Sequence, residues 1–110
     1  MTYVTRMLTV AETELFSRYA ADYWTEAELG EFIAWIAINP EAGDVIPGTG
    51  GCRKVRWIRS GMGKRGGVRV IYFNRLNEGM LWLLLIYGKN VRDNIPAHVL
   101  CAIRDELDHG

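Results

Sequence analysis

The sequence predicts a single α+β domain in the order β-α-α-β-β-β-α, with a helical hairpin packed on a small, mostly antiparallel sheet. The chain has 110 residues and is 49% apolar, so it can bury a core of its own. Apolar residues recur at helical spacing in the first half, whereas the second half alternates or runs apolar as strands do. Helices grouped on a mostly antiparallel sheet give the α+β class.

The first half predicts a strand and two helices. Residues 7–11 (MLTVA) are short and partly β-branched, as a strand is. Thr13 caps a first helix, and residues 25–28 (TEAE) form a capping box that begins a second. The apolar stripe of the first helix consists of Leu15, Phe16, Tyr19, Ala20 and Tyr23. Pro40 ends the second helix because proline disfavours helical backbone in the residue before it.

The second half predicts a hairpin, a buried strand and a helix. Residues 52–59 alternate, with Val55 and Trp57 on one side and the cations Lys54 and Arg56 on the other. The glycine-rich residues 60–67 (SGMGKRGG) join this strand to the next, over residues 68–74. Residues 80–87 (MLWLLLIY) are apolar throughout, which suits a central strand better than an edge. Asn94 and Pro96 open the last helix.

Charge is distributed very unevenly along the chain. Ten of the thirteen Lys and Arg lie between residues 51 and 93 with only two acids, so that segment carries +8 although the whole chain is neutral. Residues 53–69 hold seven cations and no acid, interleaved with glycines. A solvated charged face is the ordinary alternative, but a run of uniform sign matches the spaced charges of a phosphate backbone. We therefore predict a basic, nucleic-acid-binding face.

Several other classes of protein find no support. The longest apolar run falls far below the roughly 20 residues of a membrane helix, and the N-terminus lacks a signal-peptide core, so we expect a cytoplasmic protein. Cys52 and Cys101 lack CxxC spacing and are expected to be reduced thiols, with no metal site and no cofactor. His98 and His109 lie away from the basic strands, and no nucleotide-binding or hydrolase motif is present.

RNA cleavage remains open to such a surface because RNA supplies its own nucleophile, the 2′-OH. Neighbouring cations disfavour the charged form of a lysine, which makes Lys54 the candidate general base. Arg56 lies on the same side of that strand, and Arg69 on the next strand can hold the phosphate bidentately. Tyr87 offers a ring for base stacking and a hydroxyl. The ordinary alternatives are solvated cations, an ion-paired Arg69 and a core Tyr87.

Three segments of the chain form a set, in this order: residues 39–56 (NPEAGDVIPGTGGCRKVR), 63–72 (GKRGGVRVIY) and 84–90 (LLIYGKN). Together they resemble the RelE/HigB family of bacterial type II toxins, closest to the HigB-like branch. The resemblance implies a RelE-like toxin fold, neutralisation by a cognate antitoxin, and ribosome-dependent cleavage of mRNA.

The same resemblance assigns residues to the site. It places the catalytic roles on Lys54, Arg56, Arg69 and Tyr87. Five further cations are expected to contact RNA: Arg53, Arg59, Lys64, Arg65 and Lys89. The implied partners are the ribosome, mRNA and an antitoxin of the helix-turn-helix class. No association with a membrane is expected.

Two other functions stay open at this point. A non-catalytic toxin or binding module of the same fold, such as a ParE-like gyrase inhibitor, would use the same basic surface, because fold alone does not separate the two. An antitoxin or repressor is less well supported, since the sequence shows no helix-turn-helix.

Overall fold

A computed structural model describes residues 7–58, 67–88 and 95–109. The element order confirms the predicted α+β class and adds one short strand. The elements are β1 (Thr9–Glu12), α1 (Glu14–Tyr23), α2 (Glu26–Ile38), β2 (Asp44–Val45), β3 (Cys52–Trp57), β4 (Val68–Arg75), a 3₁₀ turn (Leu76–Glu78), β5 (Met80–Gly88) and α3 (Ala97–His109). The first strand begins two residues later than predicted, and β2 was not predicted at all.

The two helix starts follow the predicted capping chemistry. The Thr13 hydroxyl accepts a hydrogen bond from the Phe16 N–H at 3.0 Å and donates one to the Leu84 carbonyl at 3.1 Å. At α2 the Thr25 hydroxyl and the Glu28 carboxylate form both bonds of the capping box. The bond from Thr13 to Leu84 also fastens the start of α1 to β5.

Over the described residues, five strands form one sheet in the order β1-β5-β4-β3-β2. β1 runs parallel to β5, and the remaining neighbours are antiparallel. β5 therefore lies inside the sheet, as its uninterrupted apolar sequence predicts.

Each face of the sheet carries its own core. The α1–α2 hairpin covers one face, where Phe16, Phe32 and Ile36 pack against strand residues such as Val70 and Leu83. α3 covers part of the other face, where Leu100 packs with Cys52, Ile71, Leu84 and Tyr87. The helical hairpin thus lies where the sequence predicts it, and the second face is left for the C-terminal helix and for cations.

No helix within the described ranges combines the length and the apolar character that crossing a membrane requires.

Candidate nucleic-acid interface

Three of the predicted site residues form one row across the sheet. Arg56 on β3 is directly opposite Arg69 on β4, and Arg69 is directly opposite Tyr87 on β5. Directly opposite residues of antiparallel strands have Cβ atoms about 4.5–5.5 Å apart and project from the same face. The fold therefore brings together residues that lie 31 positions apart in sequence, from 56 to 87.

Lys54 lies on the same face, one step further along β3. It pairs with Ile71, which pairs in turn with Leu85. Val55 and Trp57 pack in the α1–α2 core, so the alternating side chains Lys54 and Arg56 project from the other face of the sheet, which α3 covers in part. Arg56 is exposed, and Lys54 and Arg69 are partly exposed. We call Lys54, Arg56 and Arg69 the cationic row from here on.

A β-bulge puts Tyr87 in line with this row. The register between β4 and β5 shifts between Ile71 and Tyr72, leaving Leu84 as an extra residue on β5. Leu84 and Leu85 both pack in the α3-side core, whereas Leu83 and Ile86 pack in the other one. Without this change of phase, Tyr87 would project from the α1–α2 face. Because β5 is apolar at every position, its sequence gives no signal for the β-bulge.

Tyr87 is covered by α3. Its side chain is 4% exposed and packs with Leu100 and Ile71. A ring buried in this way contacts a base only when α3 moves aside, so base stacking by Tyr87 stays a prediction.

Arg53 projects from the opposite face of β3. It pairs with Tyr72, which packs in the α1–α2 core. Its Nη1 atom donates to the Gly43 carbonyl at 2.7 Å and to the Glu41 carbonyl at 3.4 Å. Arg53 therefore ties the loop before β2 to the sheet, a structural contribution that its predicted role in RNA binding did not include.

Comparison with known proteins supports the same architecture. No protein-family model matches the chain. A solved structure, the E. coli toxin RelE in the free state with two arginines replaced by alanine, superposes with a TM-score of 0.62. The match covers 89% of this chain and 97% of that chain, at 14% sequence identity. This chain has a RelE-like fold. At that identity the likeness concerns the fold alone, and the RelE-like sheet is the frame on which the cationic row lies.

In this RelE-like fold, α3 is fastened to the sheet by polar contacts as well as by its core. Arg75 on β4 forms an ion pair with Asp108, and Arg104 donates to the Thr49 carbonyl. The guanidinium carbons of Arg75 and Arg104 lie 5.9 and 5.8 Å from the centre of the Phe73 ring. These contacts fasten the second half of α3 to β4 and to the loop before β3, whereas Leu100 in its first half packs with Tyr87.

Four cations predicted to contact RNA lie outside the described residues: Arg59, Lys64, Arg65 and Lys89. Their assignment stays a prediction.

Among the described residues, the cysteines and the other potential metal ligands do not gather into a site. Cys52 is buried and Cys101 is partly exposed, and both are free thiols. Burial raises the pKa of Cys52 above its ordinary value, against a smaller opposing effect of its hydrogen bond with Thr49. Within the described ranges, no three His, Cys, Asp or Glu side chains lie close enough together to hold a metal ion.

A groove of about 740 Å³ lies between the start of α1 and α3, with Trp82 among its lining residues. No residue of the cationic row lines it, so this groove and the charged face are separate features of the described structure.

Sequence reasoning missed one polar residue beside the row. Asp44 on β2 is directly opposite Lys54. A strand of two residues, exposed at both positions, has no alternation to recognise, so the sequence alone gave no signal for it.

Proposed function

We propose that this chain is the toxin of a type II toxin–antitoxin system, of the HigB-like branch, and that it cleaves mRNA on the ribosome. The observation that carries the proposal is the cationic row on one face of a RelE-like sheet. The three sequence segments that resemble the RelE/HigB family supply the same residues in the same order. The proposed place of action is the cytoplasm.

The cationic row suits phosphoryl transfer within RNA. Arg69 and Arg56, side by side, offer forked guanidinium donors to the oxygens of one phosphate as negative charge develops there. Lys54, one step along the face, is the proposed group for proton transfer. The 2′-oxygen attacks the adjacent phosphorus, the bond from phosphorus to the 5′-oxygen breaks, and a 2′,3′-cyclic phosphate and a 5′-hydroxyl result.

The ribosome has a defined part in this proposal. In-line attack requires the 2′-oxygen, the phosphorus and the 5′-oxygen to be aligned, and flexible mRNA rarely holds that geometry. When a site has few acid–base groups, its reaction rate depends most on a substrate that is already held in the reactive geometry. We therefore propose that the toxin acts on mRNA held in the ribosome and binds the surrounding RNA with its basic segment, including Lys64, Arg65 and Lys89.

The positive charge of the basic segment also indicates the kind of protein partner. A segment of +8 attracts a complementary acidic segment, which would speed association and mask the site. We propose a cognate antitoxin, of the helix-turn-helix class, whose acidic segment covers the cationic row or displaces α3.

Expression of the chain without its partner tests the function directly. The expected result is arrested translation, with mRNA cut in cells and on purified programmed ribosomes but not as naked RNA. Efficient cutting of naked RNA by the pure protein would contradict the ribosome-dependent reaction. Growth arrest with intact mRNA would favour the non-catalytic, ParE-like alternative, for which inhibition of gyrase supercoiling is the decisive assay.

A further inference from the structure

A carboxylate lies next to the cationic row. Asp44 is directly opposite Lys54 in the register of β2 and β3, which places the two side chains on the same face. Ile46, two residues further on, packs in the α3-side core. Alternation along the strand therefore gives Asp44 the same orientation independently. Asp44 is exposed and thus accessible to a substrate lying on the row.

The backbone before Asp44 is held by two side chains on the opposite face, those of the buried Tyr72 and the partly exposed Arg53. The Gly43 N–H donates to the Tyr72 hydroxyl at 2.8 Å, and the Gly43 carbonyl accepts from Arg53 at 2.7 Å. The Tyr72 hydroxyl in turn donates to the Pro40 carbonyl at 2.9 Å. A Cβ atom at Gly43 would lie 2.8 Å from the Lys54 carbonyl oxygen, so the strands approach as closely as glycine allows. A two-residue edge strand is thus fixed firmly beside Lys54.

We propose that Asp44 is a further catalytic residue and accepts the proton of the 2′-OH, an inference that rests on the proposed function. The proton passes to the Asp44 carboxylate as the 2′-oxygen forms its bond to phosphorus. The 5′-oxygen leaves with the electrons of its broken bond to phosphorus and takes a proton from the Lys54 ammonium. Protons and charge balance, and the role of Lys54 changes from proton acceptor to proton donor.

The chemistry of the side chains supports this division of roles. A carboxylate is unprotonated at neutral pH, whereas a lysine ammonium must lose its proton before it can accept one, and an arginine does not lose its proton in proteins. Lys54 and Arg56 are the charged groups near Asp44 on the same face of β3. Arg53 and the titratable, neutral Tyr72 lie on the other face, and Glu41 lies in the preceding loop.

Single-turnover cleavage of mRNA on saturated, programmed ribosomes tests the inference, with the pH varied across the acid range. Asp44→Asn should cut more slowly by a factor on the order of 10²–10⁴, the contribution typical of general acid–base catalysis. The rate of the parental protein should rise with pH as one group deprotonates, and this rise should be absent in Asp44→Asn. Asp44→Glu should retain part of the rate and the rise. Asp22→Asn, at an exposed aspartate of α1, is the matched control and should behave as the parent does.

The possible outcomes distinguish a failure of the role proposed for Asp44 from a failure of the proposed function. A folded Asp44→Asn variant with the parental rate and pH profile overturns the role of Asp44 and leaves the proposed function standing. A slower rate with an unchanged pH profile also overturns it, because a residue that merely braces Lys54 would give that result. A parental protein that cuts no mRNA on ribosomes overturns the proposed function, and the inference with it.

Discussion

Arg56 and Arg69 lie directly opposite each other on neighbouring antiparallel strands. Like charges directly opposite each other on neighbouring strands repel, so the pair concentrates positive charge at one point of the sheet. A phosphate group bound between them would form charge-assisted hydrogen bonds with both guanidinium groups. Under the proposed function, the sheet register thus places two arginines where they can contact one RNA phosphate.

Arg69→Gln should weaken binding of a short single-stranded RNA at low salt by about 1.5–3 kcal/mol, the range for hydrogen bonds to charged groups. Fluorescence anisotropy with a labelled oligonucleotide measures the affinity. Arg18→Gln is the control, because Arg18 is an exposed arginine on α1. Its substitution removes the same charge from a different element. Equal affinities of the two variants would show that the row does not hold phosphate.

The glycine-rich segment gives a different prediction, because its cations should contribute to docking rather than to chemistry. Lys64→Ala or Arg65→Ala should weaken ribosome association and lower the slope of log affinity against log salt by about one. Single-turnover cleavage on saturated ribosomes should stay near the parental rate. A salt slope equal to that of the parent would mean that these side chains release no counterions on binding.

Tyr72 connects the loop before β2 to the sheet, and its hydroxyl should carry measurable stability. Tyr72→Phe leaves the buried Gly43 N–H without its acceptor, so the free energy of unfolding should fall by about 1–3 kcal/mol. Urea denaturation measures the change. Tyr19→Phe, at a tyrosine that is 42% exposed on α1, is the matched control and should change the stability little.

The same tyrosine should make stability depend on pH in the alkaline range. Burial raises the pKa of Tyr72 above the ordinary tyrosine value of 10.0, with an opposing effect of the hydrogen bond from Gly43. Well below pH 10 the hydroxyl is protonated in both the folded and the unfolded state, and its contribution to stability is complete. As pH rises further, the unfolded chain loses the proton first, so stability falls. Denaturation from pH 9 to 11 should show a steeper fall for the parent than for Tyr72→Phe, and parallel curves would contradict the burial effect.

Local chemistry explains what the sequence could predict. Thr13 and Thr25 cap helices through bonds to residues three positions away, and the alternation of Val55 and Trp57 against Lys54 and Arg56 is a property of one strand. Such signals need only neighbouring residues, and they were sufficient to predict the helices, the three long strands and the basic face.

Long-range contacts explain what the sequence could not show. β2 exists because Tyr72, 29 positions away, holds Gly43 against β3. The bulge at Leu84 depends on packing against two different cores, which an apolar run does not reveal. The position of Asp44 beside Lys54 and the burial of Tyr87 beneath Leu100 follow from the same tertiary contacts.

Single-turnover cleavage by Arg69→Ala on saturated, programmed ribosomes tests whether the cationic row is an active site. Thermal unfolding first establishes that the variant is folded, because loss of a structural contact would also lower activity. If the cationic row is an active site, the rate should be lower by a factor on the order of 10²–10³, the loss typical when a preorganised donor to developing charge is removed. A folded Arg69→Ala variant that cuts at the parental rate would show that the cationic row is a docking surface rather than an active site.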